Sequence, residues 1–113
     1  MGLDFVGSNA RWSYSGFSSF RRKLASEVGV TLNNMDGFGG SQEWPKLKDP
    51  VLVLLNHSDC DGHLTPKECS KLAPRLRELV KDWPKKDYDR QQALKLASGM
   101  ANCAKTKKRL LFT

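Results

Sequence analysis

Thirteen residues, from His57 to Cys69, contain both histidines of the chain and two of its three cysteines, interleaved with Asp59, Asp61 and Glu68. Imidazole nitrogen and thiolate sulfur are the donors that zinc takes, so His57, Cys60, His63 and Cys69 form one candidate metal set. Their spacing differs from paired C-x2-C arrangements, however, and Cys69 also fits the apolar face of a following helix. The carboxylates offer a second chemistry, because hard divalent cations select oxygen. A third reading needs no ion at all. Asp59 and Asp61 would build an Asx-type turn, Gly62 would supply its strained backbone, and Glu68 would serve only the N-terminal cap begun by Thr65. This ion-free reading outweighs calcium, and calcium outweighs zinc.

Read in order, His57-Ser58-Asp59-Cys60-Asp61-Gly62-His63-Leu64-Thr65-Pro66-Lys67-Glu68 has carboxylates at its third and fifth places and glycine at the sixth, where the chain must turn sharply. An apolar residue stands eighth and a glutamate twelfth. The segment resembles the twelve-residue calcium loop of the EF-hand family. That resemblance implies a helix–loop–helix in which Asp59, Asp61, Glu68 and the backbone carbonyl of His63 are ligands, with Thr65 supporting a water. The first place departs from the family, since His57 presents nitrogen where a hard cation wants oxygen. EF-hands also work in pairs, and no second loop of this form occurs in the sequence. The candidate metal residues are therefore His57, Asp59, Asp61, His63 and Glu68.

A formal net charge of +7 makes anionic partners plausible, and nucleic acid is the alternative partner. The densest basic run places Lys105, Lys107, Lys108 and Arg109 together, and Lys81, Lys85 and Lys86 could extend it into one phosphate-binding patch. The plainer explanation is a solvated helix end, where cations complement the helix dipole. No zinc finger or RNP-type aromatic motif is present, so binding of this kind would be sequence-nonspecific. Gly37-Phe38-Gly39-Gly40 lacks the Lys-Ser/Thr pair of a phosphate-cradling loop and reads as a glycine-rich surface turn. There is no nucleophile elbow and no Cys/His pair with an orienting acid, so a non-enzymatic binding module is expected.

These groups must be positioned by short helices. Ser13 or Ser15 can cap a first helix whose Phe17, Phe20, Leu24 and Val28 recur at helical spacing until Gly29 offers a left-handed stop. Arg21, Arg22 and Lys23 should mostly face outward, while Trp12, Tyr14, Phe17 and Phe20 read as core. The stretch from Thr31 to Trp44 is dense in turn formers. Asp49-Pro50 opens a short buried helix to Asn56. Thr65-Pro66-Lys67-Glu68 has capping-box form and starts a helix that ends at Pro84, with Cys69, Leu72, Ala73, Leu76, Val80 and Trp83 on one face and a kink where Pro74 removes a backbone bond. Asp87 caps a last helix with Ala93, Leu96, Ala97, Met100 and Ala104 turned inward. Leu3 to Val6 and Arg109 to Phe112 read as strands that pair into a two-stranded ribbon from the termini. The fold expected is one mainly α domain over residues 1–113, a bundle of about four helices around Phe17, Leu24, Leu72, Leu76, Leu96 and Met100.

With 39% hydrophobic and 27% charged residues, the composition is that of a folded globule. The longest apolar run, Val51 to Leu55, is far too short to span a bilayer, and the start lacks a signal-peptide pattern. Three sparse cysteines argue for reduced thiols, and the expected setting is cytoplasmic. Met1-Gly2-Leu3-Asp4-Phe5, Trp12-Ser13-Tyr14-Ser15-Gly16-Phe17, Asn56 to Cys69 and Asp87 to Leu94 are together similar to small proteins of bacterial and bacteriophage genomes. That resemblance brings no activity with it. It implies an accessory role, such as a phage protein that inhibits a host protein.

Overall fold

The computed structural model describes residues 2–29, 50–55 and 62–113. Ser13 is extended, and its hydroxyl accepts from the Gly16 amide at 3.0 Å, which starts helix α1 (Tyr14–Glu27). At the other end Gly29, at φ +77°, lets the chain leave in a left-handed turn. Phe17, Phe20, Leu24 and Ala25 face inward, as the spacing requires. Two expectations fail here. Tyr14, at the first position of the helix, is 37% exposed and lies outside the core. Arg21 is only 4% exposed. It follows Phe17 by one turn and so falls on the buried arc. Its guanidinium lies 4.9 Å from the Phe17 ring centroid, and Nη1 donates to the Leu55 carbonyl at 3.3 Å. An arginine stem packs well against apolar surface once its head is bonded.

Leu55 belongs to helix α2 (Val51–Leu55), which buries Val51, Leu54 and Leu55. Pro50 pre-sets the helical φ ahead of it, and this overrides the strand preference of Val51 and Val53. Helix α3 (Pro66–Val80) carries the full capping box and continues through Pro74, which is exposed. Asp87 caps helix α4 (Tyr88–Thr106), its carboxylate accepting from the Arg90 amide at 3.0 Å. Helices α3 and α4 pack along their length as an antiparallel hairpin, with Arg77 Nη2 bonded to Ser98 Oγ at 3.4 Å. All six residues expected at the centre, Phe17, Leu24, Leu72, Leu76, Leu96 and Met100, are fully buried.

The chain ends do pair, but in a sheet of three strands rather than two. Strand β1 (Phe5–Val6) lies antiparallel to β3 (Leu110–Phe112), with Phe5 opposite Phe112. On the other edge of β3 comes β2 (His63–Leu64), with His63 opposite Leu111 and Leu64 opposite Leu110. A two-residue strand in mid-chain has no periodicity to read. It is held because Leu64 and Leu110 both enter the core. Phe5, Trp12, Phe17, Phe20 and Phe112 form an aromatic cluster between the sheet and α1, with Trp12 stacked on Phe20 at 4.6 Å. The turn-rich stretch expected from Thr31 to Trp44 lies outside the described residues.

Candidate cation loop and basic end

Of the five candidate metal residues, His57, Asp59 and Asp61 lie outside the described residues, as does Cys60. The half of the loop that follows them is built in detail. Gly62 adopts φ +90°, a conformation that strains any residue with a β carbon, and its carbonyl accepts from the Phe112 amide at 3.0 Å. That bond fixes how His63 sits. It joins the residue before His63 to the residue after Leu111, so the His63–Leu111 pair is of the non-hydrogen-bonded kind. The amide and carbonyl of His63 are then directed to the outer edge of the sheet, away from β3. Its imidazole lies on the exposed face while Leu64 points into the core.

Immediately beyond, Thr65 Oγ1 accepts from the Glu68 amide at 3.2 Å, and Glu68 Oε1 accepts from the Thr65 amide at 2.9 Å. These bonds satisfy two of the orphan donors of the helix start and hold the Glu68 carboxylate against the Thr65 amide. Helix α2 ends at Leu55, and β2 and capped α3 follow from His63 onward.

Zinc fares worse. Cys69 faces the α3–α4 core with no exposure, whereas His63 is exposed on the sheet, so the two are not brought together. Burial, with Cys103 and Glu68 nearby, pushes the Cys69 thiol up to about 11, although the Leu110 amide offsets part of that. Among the described residues no group of three or more His, Cys, Asp or Glu side chains converges on a point.

The four residues of the basic run are all exposed. Lys105 is in the last turn of α4, and Lys107 terminates it at φ +57°, the only non-glycine residue with positive φ among those described. Lys108 donates its amide back to the Cys103 carbonyl at 2.9 Å, closing the helix. Lys81, Lys85 and Lys86 do not join them. They belong to the α3–α4 turn, at the other end of a 19-residue helix, about 28 Å away at 1.5 Å per residue. The antiparallel hairpin instead brings the start of α3 to the basic end, with exposed Lys67 and Lys71. Neither was singled out from the sequence, where they stand more than thirty residues from Lys105.

What the described residues define is a mainly helical chain in which α2, β2 and α3 follow one another and β2 is paired to the C-terminal strand. No protein-family model matches the chain, nor does any curated protein or solved structure. Among the described residues no helix is long and apolar enough to cross a membrane.

Proposed function

We propose that this chain is a non-enzymatic binding module that holds one hard divalent cation, calcium, in the loop from His57 to Glu68. The observation that carries the reading is the register of β2. It directs the His63 carbonyl away from β3, the orientation required if that oxygen is the seventh-place ligand implied by the EF-hand resemblance. Gly62 at the sharp turn and buried Leu64 support it, whereas the bond from the Thr65 amide to Glu68 is the geometry of the ion-free reading. Asp59 and Asp61 would supply the remaining carboxylates, with His57 as the departure that weakens the site.

The setting we infer is cytoplasmic. The resemblance to small bacterial and bacteriophage proteins makes docking on a host protein the use to which such a module would be put.

Binding to the folded state alone raises stability by about 2.7 kcal/mol when the free ion is at a hundred times its dissociation constant. Thermal melts in millimolar calcium against chelator should therefore show a rise in Tm that Asp59→Asn and Asp61→Asn abolish. A rise with zinc but none with calcium would replace this reading with a nitrogen and sulfur site. A Tm indifferent to calcium, zinc and chelator would leave only the capping box.

A further inference from the structure

We propose that the end of the α3–α4 hairpin carrying Lys67, Lys71, Lys105, Lys107, Lys108 and Arg109 is a surface for the phosphate backbone of duplex DNA. The argument begins with the register of the hairpin. Arg77 meets Ser98, so two turns further along the same seam Ser70 comes opposite Lys105. Lys67 and Lys71, one turn apart, lie to one side of Ser70 on the exposed face of α3, toward Pro50 and Val53. Cations far apart in sequence therefore share one end of the molecule.

That end is poor in acid. From Arg90 to Thr113 the sequence contains no aspartate or glutamate. The first two turns of α3 contain only Glu68, whose carboxylate is engaged by the Thr65 amide. At the opposite end the lysines are mixed with Asp82, Asp87 and Asp89, and Lys23 is bound between the last two. Among the described residues, the first of the two ends presents positive charge mixed only with Glu68.

Lys107 adds an independent observation. Its left-handed conformation is one that glycine or asparagine adopts at low cost and a lysine does not. Strain retained at an exposed position points to a use for the side chain. It also turns the chain so that Lys107, Lys108 and Arg109 leave the helix end in succession. Lysines are flexible point charges without fixed geometry, which suits a dense row of phosphates better than a single carboxylate partner. Duplex DNA offers one charge per about 1.7 Å of axis, so such a surface would bind without reading sequence.

The test is fluorescence anisotropy of a labelled duplex against salt, with melting curves of each variant. Wild type should bind at about 50 mM salt and weaken with a log–log slope of about −0.9 per phosphate engaged. Lys107→Gly should raise Tm by releasing the strain, yet lower affinity about tenfold at that salt and flatten the slope by about 0.9. Lys67→Gln with Lys71→Gln should flatten it further, while Lys81→Gln, Lys85→Gln and Lys86→Gln together should leave the slope as it was. The proposal is overturned by an unshifted duplex, by equal loss in the Lys81, Lys85 and Lys86 variant, or by the same cations binding phosphatidylserine vesicles and not the duplex. Calcium has no part in the measurement, so failure here and failure of the cation loop are read separately.

Discussion

A β carbon built on Gly99, in the middle of α4, would sit 2.4 Å from the carbonyl oxygen of Gly7 and 2.5 Å from the β carbon of Ser8. The N-terminal turn is thus seated directly on the helix backbone, and Ser8 fixes it by donating its hydroxyl to the Lys95 carbonyl at 3.0 Å. On an open helix surface Gly→Ala would stabilise by roughly 1 kcal/mol. Here Gly99→Ala should destabilise, by about 1–3 kcal/mol, because backbone as well as side chain must move. A denaturant titration gives the sign. An unchanged or higher midpoint would mean that the turn lifts from the helix without loss.

Asp87 does two things at once. One carboxylate oxygen caps α4 and the other meets Lys23 at 3.2 Å, while Lys23 also reaches Asp89 at 3.0 Å and covers the Trp83 ring at 4.6 Å. Burial acts to raise the Asp87 pKa, but the Arg90 amide and the Lys23 ammonium outweigh it and hold the carboxyl below its usual value. A lowered carboxylate pKa stabilises the fold at neutral pH, and that contribution is lost as pH falls below the ordinary range and through the folded value. Asp87→Ala should cost about 1 kcal/mol for the cap and at most about 1 kcal/mol more for the exposed pair. Asp87→Asn should keep most of the cap and melt with a shallower acid dependence than wild type.

The helices and their caps were legible because each is written locally. Ser13, Thr65 and Asp87 cap where their neighbours allow it, and Phe17, Leu72 and Leu96 mark faces with the helical period. The pairing of the two chain ends was legible from their similar length and character, but the rest of the long-range geometry was not. Nothing near His63 announces that it pairs with Leu111, and nothing near Lys67 announces Lys105. Arg21 misled because residue type was given more weight than phase, although its position four residues after Phe17 already placed it on the buried arc. Of the candidate site, Gly62 and the capping box were readable in advance, and the direction of the His63 carbonyl depended on a strand partner almost fifty residues away.

Cys69 provides a probe of the core at alkaline pH. Burial first, then Cys103 and Glu68, push its thiol from 9.0 to about 11. The folded state thus holds a proton that the unfolded chain releases above pH 9.0. The stability this lends is complete below that value and is lost as pH rises toward about 11. Cys69→Ala, which removes the titrating group, should lose less Tm than wild type between those limits, although it starts lower because a buried sulfur is gone. Parallel curves for the two proteins would place the alkaline transition elsewhere. In the native state at neutral pH the same thiol should react with a disulfide reagent only as fast as the chain opens.

Glu68→Gln separates the two roles that this side chain can play. In the capping box Glu68 uses one oxygen, Oε1, to accept from the Thr65 amide, and a glutamine carbonyl can accept the same bond. A hard cation instead wants the charged carboxylate, and the twelfth place of the loop is where the EF-hand resemblance puts a bidentate one. The variant should therefore melt within about 1 kcal/mol of wild type in chelator, the loss being the charge in the first turn of the helix and not the cap. In millimolar calcium it should lack most of the wild-type rise in Tm. Glu68→Ala would lose both, with a lower Tm in chelator as well, because the Thr65 amide at the helix start is left without its partner. If Glu68→Gln keeps the full calcium response, Glu68 is a cap and not a ligand, and the ion, if bound, is held by residues on the other side of Gly62.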